Sequence, residues 1–400
     1  MKWETLLLCD EHLERGMAEA AERFAHIFSG TTPDLAIVFF CGYNRDEVRQ
    51  LAQLIPSLLK PRHWIGCLSG GVIGQGRELE QQKAISISMA SLPEVTLQPF
   101  HITSQHFSEP ATALDTLRLH LSTTTPAPHF ILLADPYTFD IETFLQALDL
   151  GFPESVKMGG LVSGGNKPGD HIMMVDDGIY QTGLSGVALS GSLHIDSIVS
   201  QGCRPIGPPM FITSCKNNLI YELDNRSPVD VLREIYDTLP ESDQELFQNA
   251  LTLGIAVTTK QQHLEQGDFL IRQIIGGEPA TGHLAIAAPV RSYQAVQFHL
   301  RDPLAARKGL LRVLKNHGQA QQGHQSVGGL MFSCLGRGKG LFGLSNHDIH
   351  LFQTTLGTLP IGGFFCNGEI GPIHGKTFLH GFTSAFFLFG PAKGESSGCE

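Results

Sequence analysis

Leu359-Pro-Ile-Gly-Gly-Phe-Phe-Cys-Asn-Gly-Glu-Ile-Gly-Pro372 is the stretch from which the rest of the chain is read. An apolar strand meets a glycine pair, continues through two phenylalanines and breaks into a glycine-rich loop. Glycine holds such places where φ must be positive, or where backbone approaches a ligand or another strand closely. The same order occurs three times: buried strand, helix, an apolar residue with Gly-Gly or Gly-Cys, glycine-rich loop, strand. It runs through 35–40, 46–59, Ile65-Gly-Cys-Leu-Ser-Gly-Gly71 and 84–89. It recurs at 130–134, 143–150, Met158-Gly-Gly-Leu-Val-Ser-Gly-Gly165 and 172–175, and again at 330–334, 347–356, 361–368 and 378–389. A recurring unit of this kind is the mark of internal duplication. Ile275-Gly-Gly277 lacks the helix and falls in a β-meander, so it counts as coincidence.

Helix ends are legible around these units. Val48, Leu51, Ala52, Ile55, Leu58 and Leu59 keep a helical stripe with Asp46 as the expected cap. Ser227-Pro-Val-Asp230 and Asp302-Pro303 open further helices, the first with a stripe at Val229, Leu232, Tyr236 and Leu239. Gly357 closes a stripe of Ile349, Phe352 and Leu356. Residues 170–200 and 269–300 read alike, as short strands split by turns such as Pro279-Ala-Thr-Gly282. The expected class is α+β: two related domains, 1–216 and 217–400, with mixed, largely antiparallel sheets flanked by helices. The boundary is placed near Lys216-Asn-Asn218.

Composition narrows the function. A net charge of -11 with scattered basic residues removes the electrostatic footprint of a nucleic-acid binder. No run approaches the ~20 apolar residues of a membrane span, and the N-terminus carries no export-type apolar region. Eight cysteines at 9, 41, 67, 203, 215, 334, 366 and 399 form no C-x-x-C pair and read as reduced thiols of a cytoplasmic protein.

Candidate chemistry gathers in the third unit. Leu330-Met-Phe-Ser-Cys-Leu-Gly-Arg-Gly338 sets Arg337 between Gly336 and Gly338, and Glu369 follows Asn367-Gly368. A guanidinium suits a carboxylate, and a carboxylate beside an amide suits an ammonium group. Arg337, Glu369, Asn367, Gly336, Gly338, Gly362, Gly363, Cys334 and Cys366 are therefore the expected ligand-binding set. On this view Arg337→Ala abolishes stabilisation by ligand and leaves the fold intact. The plain alternative is an Arg–Glu ion pair closing a turn. Cys334 or Cys366 as a nucleophile is the enzyme alternative, and a protein-interaction scaffold is the third; no catalytic residue is assigned. His347, His350, His374 and His380 with Cys366 match no tight zinc spacing, and Gly71-Val-Ile-Gly-Gln-Gly76 lacks the lysine of a phosphate loop, so neither metal nor cofactor is expected. The loops around Cys67, Ser69 and Gly70, and around Ser163, Gly164 and Asn166, correspond to 364–366, and they cluster if the copies surround an axis.

The segments 332–338, 362–372 and Leu379-His-Gly-Phe-Thr-Ser384 resemble the FIST C-terminal domain. Ile65-Gly-Cys, Gly159-Gly-Leu and Gln201-Gly-Cys-Arg-Pro-Ile-Gly-Pro208 resemble the FIST N-terminal domain that precedes it. The resemblance spans roughly 30–390 and implies a stand-alone sensory pair that binds a small molecule, an amino acid being the family's proposed ligand. It implies a signalling protein as a second partner, with neither nucleic acid nor membrane.

Overall fold

The computed structural model describes residues 1–9, 13–104, 109–121, 127–257, 267–278, 280–320 and 325–392; Cys399 and Pro279 lie outside them. The chain forms two compact units. One comprises Met1–Val199, Leu311–Leu379 and Ser384–Glu400, the other Ser200–Leu310 and His380–Thr383.

The first unit holds three copies of one element order. Copy one is β1 (Lys2–Leu8), α1 (Leu13–Ile27), β2 (Leu35–Cys41), α2 (Arg45–Leu54), a π turn (Ile55–Leu59), β3 (His63–Ser69), β4 (Gly71–Gly74), β5 (Arg77–Glu80) and β6 (Ala84–Ser91). Copy two is β7 (Val95–Ile102), α3 (Pro110–His120), β8 (His129–Ala134), α4 (Ile141–Gly151), β9 (Lys157–Leu161), β10 (Met173–Val175), β11 (Gly178–Tyr180) and β12 (Leu184–Gly191). Copy three begins with β13 (His194–Gln201) and is interrupted. The inserted segment is β14 (Cys203–Lys216), β15 (Leu219–Leu223), α5 (Pro228–Thr238), α6 (Glu241–Ala250), β16 (Leu251–Ala256), β17 (Phe269–Glu278), β18 (His283–Ile286) and β19 (Ala295–Arg301). The copy then resumes with α7 (Pro303–Ala320), β20 (Gly328–Cys334), α8 (Gly338–Phe342), α9 (His347–Leu356), β21 (Ile361–Cys366), β22 (Glu369–Ile373), β23 (Lys376–His380) and β24 (Thr383–Gly390).

Each copy builds most of a six-stranded sheet and takes its last two strands from another copy. The orders are β1-β6-β2-β3-β10-β11, β7-β12-β8-β9-β22-β23 and β13-β24-β20-β21-β4-β5. Each sheet has one parallel pair, β2 with β3, β8 with β9 and β20 with β21, beside antiparallel pairs such as β2 with β6, β8 with β12 and β20 with β24. The inner faces share one core, where Phe39, Ile131, Leu133, Phe332 and Phe364 meet. On the outer faces α1 and α2 cover the first sheet and α3 and α4 the second. Phe352 of α9 stacks on Phe386 of the third at 4.9 Å.

The α+β class and the mixed sheets stand as read from the sequence. Relatedness, however, runs among three copies inside one unit, whereas the other unit is a closed barrel, β14-β15-β18-β17-β16-β19. The likeness of 170–200 to 269–300 is one of strand length only: the first belongs to the repeats and the second to the barrel. Ile275-Gly-Gly277 lies on barrel strand β17, outside the repeat. Residues 71–76 form β4 and the turn into β5. Helix α2 is capped by Asn44, whose side chain accepts from the N–H groups of Asp46 and Glu47, two residues earlier than the sequence places the cap. In α5 the fully buried residues are Pro228, Val231 and Ile235, while Leu232 and Leu239 of the expected stripe pack partly against the same core.

The glycine that marks each unit has a common cause. Gly66, Gly159 and Gly363 lie in register with Val38, Leu132 and Met331 across the parallel pairs. A Cβ on them would stand 2.1, 1.8 and 1.8 Å from the partner's carbonyl oxygen. Gly363→Ala is expected to cost ~3 kcal/mol or more, or to prevent folding. Gly340→Ala, with nothing within 4 Å of its Cβ position, should be neutral or stabilising by up to about 1 kcal/mol. Denaturant midpoints of the two variants compare them directly.

Candidate functional site

The loops that follow the strands of the three copies meet at one end of the first unit. Ser163, from copy two, accepts the Gly70 N–H of copy one at 3.0 Å and donates its hydroxyl to the Phe365 carbonyl of copy three. Asn367 ties copy three to copy two again: its N–H donates to Leu161 O at 3.0 Å and its side-chain amide to Val162 O at 3.3 Å. A Cβ on Gly70 would stand 2.7 Å from the Leu335 side chain. The three loops do cluster as the repeat predicts.

The charges of copy three lie on the segments that follow β20 and β21. Arg337 is fully buried and grips Asp348 with both ends of its fork, Nε to Oδ2 at 2.6 Å and Nη2 to Oδ1 at 3.0 Å. Its guanidinium also lies 5.4 Å from the Phe342 ring centre. Burial opposes charge on both partners, yet their pairing raises Arg337 and holds Asp348 below the usual carboxylate range. The carboxylate that the sequence assigns to a ligand of Arg337 is therefore matched by one from the chain itself. Glu369 is buried at the start of β22 in register with Gly160, and its field reaches Arg337 and Cys366.

The other expected ligand residues pack closely. A Cβ on Gly362 would meet Ser88 Oγ at 2.1 Å, and one on Gly338 would meet Glu80 Oε1 at 2.4 Å. Gly336 donates its N–H to Cys334 Sγ at 3.4 Å. Cys334 and Cys366 are register partners on β20 and β21. Burial, with Glu369 adding to it, pushes the Cys366 thiol well up, which makes it a poor nucleophile. His347 bonds Asp348 at 2.8 Å and stacks on Phe342 at 3.5 Å. Among the described residues no group of three or more His, Cys, Asp or Glu side chains is placed to hold a metal ion.

A second carboxyl reads the same pair. Glu78 is buried, accepts the Ile349 N–H at 2.7 Å, and is pushed up by burial and then by the charge of Asp348.

An open cleft lies beside the loop junction, with a volume of about 510 Å³. Tyr43, Asn44 and Arg45 line it from the turn between β2 and α2, Leu68 from the end of β3, and Ser163, Gly164, Gly165, Asn166 and Asp170 from the loop after β9. Arg45 and Asp170 supply opposite charges, and Asn44, Asn166 and Ser163 supply amide and hydroxyl groups. Arg45 Nη1 donates to Gly169 O at 2.6 Å, which ties the two walls. Ser163, Gly164 and Asn166 are the loop residues that the repeat singles out; Tyr43, Asn44, Arg45 and Asp170 carry no pattern apart from the Asn44-to-Glu47 capping box.

Residues 34–226 match the FIST N domain and 228–372 the FIST C domain. An uncharacterized protein of Mycobacterium tuberculosis is 37% identical over 388 residues, covering 94% of this chain and 96% of its own. Another from Mycobacterium bovis is 34% identical over 380 residues, covering 93% and 94%. An F-box/LRR-repeat protein of Arabidopsis thaliana is 24% identical over 310 residues, 66% of this chain and 58% of that protein. Among solved structures a chorismatase covers 90% of this chain and 93% of its own at 9% identity, with a TM-score of 0.31, too low for any argument about fold or activity. No helix of the described residues is long and apolar enough to cross a membrane.

Two outcomes are expected around Arg337. Asp348→Asn leaves a buried cation without its counter-charge and should cost about 3–5 kcal/mol in chemical denaturation, whereas the double variant Arg337→Met/Asp348→Leu should lose less. Glu78, with its folded value raised, keeps its proton after the unfolded chain has released it. Stability therefore falls as pH climbs above the usual 4.5, and Glu78→Gln should flatten that decline in denaturant midpoints taken from about pH 5 to about pH 8.

Proposed function

The chain belongs to the FIST family, and from that membership we propose that it is a sensor of a small zwitterionic molecule, such as an amino acid, held in the cleft between the first two copies. FIST domains are generally considered small-ligand sensory domains of signalling proteins. The observation that carries the reading is the cleft itself: about 510 Å³, open, and lined by one cation, one anion and several neutral polar groups. That volume is within the range of small-molecule sites. Arg45 offers its remaining donors to a carboxylate, and Asp170 offers an acceptor to an ammonium group. Asn44 and Asn166 supply hydrogen bonds on either side, and Tyr43 and Leu68 supply apolar surface. A ligand spanning Arg45 and Asp170 touches copy one and copy two together. It biases their relation, which is the change that a downstream signalling protein would read.

Thermal denaturation in the presence of each of the twenty amino acids tests this. A ligand at a hundred times its dissociation constant should add about 2.7 kcal/mol to stability and raise the melting temperature accordingly. Arg45→Ala and Asp170→Asn should each weaken binding by on the order of ten-fold, about 1.4 kcal/mol. Both residues lie at the surface, but Arg45→Ala also loses the bond to Gly169 O, so each variant's shift is read against its own unliganded melting temperature. Shifts that persist in both variants, or no shift with any amino acid, count against the cleft as the site.

A further inference from the structure

One wall of the cleft is a connection longer than its counterparts. Gly70 alone joins β3 to β4, and Asn367 and Gly368 join β21 to β22. Residues 162–172 join β9 to β10, and from them come the wall residues Ser163, Gly164, Gly165, Asn166 and Asp170. The fit of this segment demands glycine. A Cβ on Gly164 would stand 2.6 Å from the Leu68 carbonyl carbon, and one on Gly165 would stand 2.4 Å from Asp170 Cβ. Glycine surrenders more conformational freedom on being ordered than any other residue. A ligand that had to order such a wall would lose affinity in doing so.

Two side chains that do not line the cleft hold this segment. Tyr137, from the turn after β8, donates its hydroxyl to Asn166 O at 2.7 Å. Its ring is kept in place by stacking on the buried His171, with centres 5.5 Å and planes 17° apart. Gln181, just after β11, donates its side-chain amide to Gly169 O at 2.6 Å. Arg45 Nη1 donates to the same carbonyl, so both of its lone pairs are engaged, one by copy one and one by copy two. Counted from the register pairs Val38–Gly66 and Leu132–Gly159, Tyr137 occupies the turn position that the cleft residue Tyr43 occupies in copy one. One position of the duplicated turn thus lines the cleft in copy one and braces its opposite wall in copy two.

We propose that Tyr137 and Gln181 are positioning residues of the cleft, holding the 164–170 wall in its binding geometry before any ligand arrives. As a statement about binding, this rests on the functional reading above; as a statement about the wall, it stands on the free protein alone. Tyr137 acts at Asn166, and Gln181 acts at Gly169, the neighbour of Asp170. Both work through the wall, so what they contribute to affinity is an ordering cost removed in advance, which falls in the entropy of binding.

Backbone order parameters of the ligand-free protein, and calorimetric titration with each of the twenty amino acids, test this in Tyr137→Phe and Gln181→Ala. The first variant keeps the stacked ring and removes only the hydroxyl. In the wild type the amides of 164–167, 169 and 170 should give order parameters of about 0.85, the value of rigid backbone. They should drop below about 0.6 around Asn166 in Tyr137→Phe and around Gly169 in Gln181→Ala. Any amino acid that binds the wild type should bind each variant on the order of ten-fold more weakly, through a less favourable entropy, with the denaturant midpoint unchanged. A wall that is already mobile in the wild type overturns the proposal, as does one that stays rigid in both variants. Undiminished affinity beside a loosened wall overturns the positioning role, and so does an affinity loss that merely follows a lowered denaturant midpoint. If no amino acid binds the wild type, the cleft fails as an amino-acid site, while the order parameters still decide whether Tyr137 and Gln181 hold the wall.

Discussion

Each parallel strand pair in the first unit ends in an edge that its own copy cannot cover. Unpaired backbone groups along a strand must find partners or water, and a buried edge has no water. The β10–β11 hairpin of copy two pairs β3 of copy one, β22–β23 of copy three pairs β9 of copy two, and β4–β5 of copy one pairs β21 of copy three. The exchange closes on itself after three steps, so no copy is complete alone. It also brings the loop that precedes each hairpin onto the neighbouring copy. The meeting of Gly70, Ser163 and Phe365, and the cleft beside it, follow from that closure.

Charge is used in two ways around this junction. Under copy three, Arg337 and Asp348 satisfy each other out of contact with water. Such a pair adds little net stability over apolar packing, yet losing one member is costly. Beside copy one, Arg45 and Asp170 stay at an open surface, where their hydrogen-bonding capacity is not consumed by each other. The same residue types thus form a closed pair in one place and an open polar surface in another. Burial makes the difference.

What the sequence discloses follows from which constraints act locally. Close approach of β3 to β2, β9 to β8 and β21 to β20 admits only glycine, so Gly66, Gly159 and Gly363 write the repeat into the chain and the α+β class can be read. Gly357 and Ser227 are legible because a helix end is satisfied by its immediate neighbours. The partner of Arg337 is not legible: Asp348 is one of many acids, and Glu369 stands out only because its glycines do. Arg45 and Asp170 reach the cleft through the pairing of one copy's hairpin with another copy's edge, and no spacing along the chain encodes that. Asn166 and Ser163 were within reach because they sit on the repeat.

The break in copy three has a consequence for how the chain reaches its native state. Between β13 and α7 the chain runs through the entire barrel, yet the barrel's first and last strands are partners, with Cys203 opposite Arg301. Just outside them, Asp302 donates its N–H to Gly202 O at 3.4 Å. Once the barrel has formed, the two severed parts of copy three are joined by what amounts to a short turn. The entropy of closing a long loop is then already spent in a unit with its own core. A long insertion therefore costs the third copy, and with it the ring of exchanged hairpins, little more in closure entropy than a turn would.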